Sequence, residues 1–309
     1  MDKFIKNKGV LLLIIIFILL FIFLICLGLN VLKQQAIDIN KKNLQILANE
    51  KAMQVNMFLD SLKEKFNIIS TGLVFEEVVK DPDNPVKIEL AKKRINELKH
   101  VIPRIAVFTK AGVMFIAESG PVPKDYSAIP YFSSKDKEII FMRYYDEYQK
   151  RDYYSILGPI YDSIEKDKVI GSIAFDVELD KISNITKESF DWGENIEVYL
   201  IDETGLLLSN SKYIGDNNKN GILIQEIKSE GAKNCLEWLE KHHNGETIEK
   251  HEDEIMRYKN YMGDEVYGVH AYIPAIEGCV IAEKGVDAIE SFSLITMLEY
   301  FFKGGKNEN

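Results

Sequence analysis

Residues 9–32, GVLLLIIIFILLFIFLICLGLNVL, are twenty-four positions without one charged side chain. At about 1.5 Å per residue such a helix reaches about 36 Å, enough to cross a hydrocarbon core of about 30 Å with some tilt. A cleaved signal peptide has a shorter apolar core, about 7–15 residues, ending in small residues. Here the run is longer and no A-x-A follows it, so it reads as an uncleaved anchor. Cys26 follows the bulky pair Leu24-Ile25 and reads as a lipid-facing thiol.

Lys3, Lys6 and Lys8 crowd the short N-terminal side and favour a cytoplasmic N-terminus, although Lys33, Lys41 and Lys42 compete from the other side. The 309-residue chain carries a net charge of −10; removing Asp2 and those three lysines, a net of two positive charges, leaves −12 on the remainder of the chain. That balance argues against nucleic acid as a partner. The expected topology is a single pass through the cell membrane with the body outside the cytoplasm. Aromatic residues are plentiful, which excludes disorder over most of the chain. Three cysteines exclude a disulfide-dense scaffold, and no bridge between Cys235 and Cys279 is expected.

Residues 33–70 contain neither Pro nor Gly. Leu44, Leu47, Val55, Phe58, Leu59, Leu62, Phe66 and Ile69 recur at three-and-four spacing, which predicts a helical stripe continuing the anchor as a stalk. Lys51 interrupts the stripe and is expected at a solvated, membrane-proximal turn. The stripe is expected to pack on the globular body, with a dimer seam at its base.

From residue 100 the period changes to two. Arg104-Ile-Ala-Val-Phe-Thr and Val113-Met-Phe-Ile-Ala-Glu-Ser flank Lys110-Ala111-Gly112, a hairpin pattern. About ninety residues later Ile196-Glu-Val-Tyr-Leu-Ile, Asp202-Glu203-Thr204-Gly205 and Leu206-Leu-Leu-Ser-Asn-Ser repeat the phrase. A second phrase also recurs: residues 153–163 lead by a short turn into 169–182, and 266–276 into 279–289. Each copy reads as a strand with a Pro near its end, a turn, a last strand and an acidic helix start. The repetition predicts two related α+β lobes in series. The insert of the first lobe holds two helix-like pieces; the second holds a helix over 225–243 and a strand pair over 247–261.

The anchor, the stalk and the two lobes resemble the double-Cache extracytoplasmic sensor domains of prokaryotic chemoreceptors, histidine kinases and diguanylate cyclases. The most specific segments are Ile129-Pro130-Tyr131-Phe132, Tyr144-Tyr145-Asp146, Gly158-Pro159-Ile160-Tyr161-Asp162 and Gly171-Ser172-Ile173-Ala174-Phe175-Asp176. The resemblance implies two PAS-like lobes, each with an antiparallel sheet. It sets the stalk helix at 33–75, the membrane-distal lobe at 76–190, the membrane-proximal lobe at 191–285, and an exit helix and tail at 286–309. It also implies a small-molecule pocket in the distal lobe.

In members that bind amino acids, an Arg two positions before a Trp-Tyr pair holds the carboxylate and two aspartates hold the ammonium. Here the pair falls at Tyr131 and Phe132, the aspartates at Asp146 and Asp176, and the Arg position at Ile129. A buried carboxylate without a cationic fork is costly, so the expected ligand is an amine. Tyr126, Tyr131, Tyr144, Tyr145, Tyr148, Tyr153, Tyr154 and Tyr161 place eight tyrosines in thirty-six residues. Such rings either box a cation or shield the sheet. The expected ligand-binding set is Tyr126, Tyr131, Phe132, Tyr144, Asp146, Tyr153 and Asp176.

No G-x-S-x-G, H-E-x-x-H or P-loop pattern occurs, and His242, His243 and His251 lack ligand spacing, so neither catalysis nor a metal or other cofactor is expected. The run 291–298 is too short to span, and no kinase, methyl-accepting or cyclase segment comes after it. The expected function is signal transduction of the chemotaxis or two-component type, from a truncated receptor or a tethered sensor. A stalk homodimer and a separate signalling partner would complete it. The alternative is a surface interaction or adhesion protein that keeps the fold without a ligand.

Overall fold

One helix organises the chain. The computed structural model describes residues 2–100, 102, 104–117, 122–134, 137–146, 151–187, 196–212, 222–244 and 255–290, without the side chains of 2–14, 144, 146, 151–152 and 242–243. Helix α1 (Asp2–Ser70) runs unbroken for 69 residues, about 104 Å at the standard rise. Its N-terminal part exposes the large apolar side chains from Ile15 to Ile25. Among the described residues it is the one helix long and apolar enough to cross a membrane.

Farther along, Leu44, Leu47, Ala48, Ala52, Val55, Leu59, Leu62, Phe66 and Ile69 are buried in a single core that both lobes share. Lys51 departs from the sequence expectation. It sits on the stripe itself, only 1 % exposed, with its ammonium 3.4 Å from Gln54 Oε1. The long aliphatic stem lets a lysine occupy an apolar stripe while its head keeps polar company.

The distal lobe begins with α2 (Leu73–Lys80) and α3 (Pro85–Leu98). Asn84 caps α3 by accepting from the backbone N–H groups of Val86 and Lys87, with Pro85 at the first helical position, where a missing N–H costs nothing. The sheet contains β1 (Ile105–Thr109), β2 (Val113–Ala117), β3 (Lys124–Asp125), β4 (Ile140–Asp146), β5 (Arg151–Tyr161) and β6 (Val169–Asp176). Its strand order is β3-β2-β1-β6-β5-β4. The short α4 (Pro130–Ser133) crosses one face. On the other, Phe66 of α1 packs on Phe175 of β6 at 5.7 Å between ring centroids. Helix α1 comes so close to β5 at Gly158 that an added Cβ would stand 2.5 Å from the Phe66 ring.

Helix α5 (Leu179–Lys187) leads to the proximal lobe, built from β7 (Ile196–Ile201), α6 (Glu230–His243), β8 (Met256–Lys259), β9 (Glu265–Ile273), a 3-10 turn (Pro274–Ile276), β10 (Gly278–Gly285) and α7 (Val286–Glu290). The order β7-β10-β9-β8 repeats β1-β6-β5-β4 of the first lobe, as the duplicated phrases predict. The expected second hairpin is reduced: among the described residues its return arm forms no full strand but the single bridges Ile201↔Leu207 and Leu206↔Glu226.

Helix α6 covers the face of this sheet away from α1. There Cys235 of α6 and Cys279 of β10 form a disulfide across 44 positions, with Cα atoms 6.4 Å apart, contrary to the sequence expectation. Both are buried in the small core under α6 with Tyr199, Ile201 and Leu239. Cys26 is exposed on the apolar segment. Beyond Glu290, the rest of the expected exit helix lies outside the described residues, as do most of the expected strand before β8 and His251.

Candidate functional site

The distal sheet alternates strictly around its centre. Ile105, Val107, Ile156, Ile173 and Phe175 point to the shared core, and the residues between them point to the opposite face. On that face Ala117, Ala106 and Ala174 are successive cross-strand partners over β2, β1 and β6, and Leu157 of β5 follows in the same row. Three methyl groups in a row leave a hollow where larger side chains would fill the sheet surface.

The segment after β2 roofs this hollow. Tyr126 is tied to the hairpin turn by its N–H, which donates to Gly112 O at 2.9 Å, and Gly112 holds φ +88° as the turn requires. Tyr126, Ile129 and Phe132 come down over the alanines and enclose a cavity of about 60 Å³. At roughly 10–15 Å³ per water-sized site, it admits about four to six non-hydrogen atoms.

The polar end lies one row along the strands. Asp176, the last residue of β6, is opposite Ser155 of β5, whose hydroxyl donates to Asp176 Oδ1 at 2.6 Å. On the other side Ile105 pairs with Phe175, which sets Arg104 beside Asp176. The guanidinium Nε is 3.5 Å from Asp176 Oδ2, and its centre stands 3.8 Å from the Tyr153 ring centroid. Arg104 has φ +44°, a left-handed conformation that costs a non-glycine residue roughly 1–3 kcal/mol. The ion pair and the ring contact hold it there.

Tyr126, Phe132 and Asp176 of the expected set line the cavity. Tyr153 stacks on the Arg104 guanidinium at the polar end and is not itself a lining residue. Tyr131 is buried next to Phe132 but is not a lining residue; burial pushes its phenol up to about 12. The side chains of Tyr144 and Asp146 lie outside the described ones, as does Tyr148. Tyr145 and Tyr161 are exposed, and Tyr154 turns to the shared core against Phe141. Among the described residues Tyr126 is the single tyrosine of the lining, and the walls are chiefly Phe108, Phe132, Met114 and Met142. Sequence reasoning passes over Arg104, Ser155 and the alanine floor. The alternate alanines of strands otherwise rich in Ile, Val and Phe are the available signal.

The family model of the Cache domain (double-Cache type) matches residues 29–284. No curated protein matches at the sequence level. Among solved structures, the V. cholerae histidine kinase DctB sensor domain is similar with TM-score 0.55 at 10 % identity, over 79 % of this chain and 96 % of that one. The ligand-binding domain of the Campylobacter jejuni chemoreceptor Tlp3, solved with L-norvaline, has TM-score 0.53 at 12 % identity, over 82 % and 94 %. That of the Pseudomonas fluorescens chemoreceptor CtaA, solved with L-serine, has TM-score 0.51 at 12 % identity, over 80 % and 97 %. These likenesses concern the fold, and the family is one of ligand-binding sensor domains. With the family model matched across both lobes, the chain belongs to the Cache domain family as a double-Cache protein.

Proposed function

We propose that this protein is a membrane-anchored, extracytoplasmic sensor of a small amino acid in signal transduction, acting through the distal cavity. The observation that carries the reading is the Arg104–Asp176 pair at the polar end of an alanine-floored hollow. The sequence favours an amine because Ile129 offers no donor to a carboxylate. Arg104, the residue before β1, supplies that donor instead, so a zwitterion finds a cation and an anion side by side, with its short apolar side chain over the alanines. The relatives solved with L-norvaline and L-serine support the same ligand class.

The lysines before the apolar segment support a cytoplasmic N-terminus, with both lobes outside. Ile39, Ile46, Met53 and Met57 form an exposed apolar line on α1, with steps of seven, seven and four residues that support a stalk-to-stalk homodimer. A route to the stalk is short. Asp176 faces the cavity while Phe175, its neighbour, packs on Phe66 of α1. A ligand that favours one arrangement at Asp176 thereby biases the α1 contact, by no more than its differential affinity for the two states. A separate signalling partner would read that movement.

A thermal-shift screen of the full chain in lipid nanodiscs tests the ligand class. Small neutral amino acids are expected to raise the melting temperature more than the corresponding amines. A screen in which only amines stabilise would restore the amine reading, and one with no stabilising compound would favour the interaction-protein alternative.

A further inference from the structure

The two lobes differ at the floor of the hollow. Gly112 and Gly205 close equivalent turns, each at positive φ, +88° and +81°. Each donates its N–H to the carbonyl at the start of its turn, Thr109 in one lobe and Asp202 in the other. Counting back from these turns puts Tyr199 where the distal lobe has Ala106. Its cross-strand partner Ile281 then stands where the distal lobe has Ala174. Tyr199 and Ile281 are fully buried in the small core under α6. The duplicated sheet therefore accepts large side chains at these positions, and the distal lobe is hollow because its own residues there stop at Cβ.

The hollow also ends at a definite point. Two rows along from Asp176, Phe108 of β1 stands between its partners Met114 and Ser172. Phe108 rises from the floor to meet two rings of the roof. Its centroid is 5.7 Å from that of Tyr126, edge-on, and 5.4 Å from that of Phe132. Ser172, its partner on β6, is not a lining residue, so the cavity stops at the phenyl ring.

This wall is firm. A Cβ at Gly112 would stand 2.7 Å from the Phe132 ring, and Lys137 Nζ donates to the Phe132 carbonyl at 3.2 Å, so the roof is held down on Phe108. Met114 shares the wall, but an unbranched thioether repacks readily. A phenyl ring packed against two others has no free space to turn into.

We infer that Phe108 is the specificity-determining residue of the distal site, limiting the ligand side chain to a hydrogen or a methyl group. The inference rests on the zwitterion reading of the cavity: with the head group at Arg104 and Asp176, the side chain runs over the alanines toward Phe108. Glycine and L-alanine end before the ring. Each further methylene has to displace it.

The test is calorimetric titration of the full chain in nanodiscs with glycine, L-alanine, L-2-aminobutyrate and L-norleucine, on the wild type and on Phe108→Ala. The wild type is expected to bind glycine or L-alanine about 10-fold or more tighter than L-2-aminobutyrate, the scale of one methylene in an apolar pocket, and L-norleucine more weakly still. In Phe108→Ala the order is expected to invert, with L-norleucine bound tighter than L-alanine. Should that variant not fold, Phe108→Leu takes its place, and the margin against L-2-aminobutyrate is expected to shrink. Equal binding of all four by the wild type, or a folded variant that keeps the wild-type order and margin, would overturn the inference and leave the zwitterion reading standing. No binding of any of the four by the wild type would overturn both.

Discussion

Ser155 stands directly opposite Asp176 across the β5–β6 ladder, and its hydroxyl donates to the buried carboxylate at 2.6 Å. With Arg104 on the other side of Asp176, the charge at the end of the distal cavity is framed before any ligand arrives. Replacing Ser155 by Ala leaves Asp176 Oδ1 without that donor. A hydrogen bond to a charged group is worth about 1.5–3 kcal/mol, and a loss of that order is expected in chemical denaturation of the Ser155→Ala variant. An unchanged midpoint would show that water replaces the hydroxyl at no cost.

The Cys235–Cys279 bridge ties α6 to the centre of the proximal sheet. For a separation of 44 positions, the chain-entropy relation gives about 4 kcal/mol. The double variant Cys235→Ala/Cys279→Ala is expected to lose stability on that scale. Alkylation of the unfolded, unreduced protein followed by mass spectrometry is expected to label Cys26 alone; labelling at three cysteines would contradict the bridge.

Glu283 makes stability depend on pH. Burial raises its folded-state pKa from 4.5 to about 7. Its contribution is therefore fully present below about pH 4.5 and is lost as pH rises through about 7, a change of roughly 3 kcal/mol by linkage. The difference in melting temperature between wild type and Glu283→Gln is expected to move against the wild type over that window. Parallel pH profiles of the two proteins would place the carboxyl near its ordinary value.

The close approach of α1 to the distal sheet is equally testable. At Gly158 an added methyl group would sit 2.5 Å from the Phe66 ring, and overpacking of this kind costs about 1–3 kcal/mol. Gly158→Ala is expected to destabilise by that amount, and Phe66→Leu in the same chain to recover part of it. Additive losses would show that the two positions do not meet.

Legibility from sequence alone tracks the range of the interaction concerned. The α1 stripe is legible because a 3.6-residue period is local, and the hairpin at Lys110–Gly112 because its turn is local too. Lys51 reads as solvated when charge is weighed and stem length is not. The bridge between Cys235 and Cys279 depends on where α6 lands on β10, which no spacing encodes. Arg104 reads as a strand start and not as a site residue, since its partner is set by the β1–β6 register seventy residues away. Tyr131 and Phe132 are neighbours on one short helical turn, and only the packed structure decides that Phe132 faces the cavity and Tyr131 does not. Asp176 is reached through the family resemblance and Tyr126 through the run of tyrosines, and the alanine floor under them escapes notice because small residues carry no chemistry of their own.

The central claim is that a small zwitterion binds at the Arg104–Asp176 end of the distal cavity. Calorimetric titration of the full chain in nanodiscs with glycine and L-alanine, repeated on Arg104→Ala and Asp176→Asn, tests it most directly. Saturable binding of at least one of the two is expected in the wild type, weakened about 100-fold or more in either variant, because breaking one arm of a buried charge pair costs several kcal/mol. Undiminished binding in folded Arg104→Ala and Asp176→Asn proteins, or no binding of either amino acid by the wild type, would contradict the account.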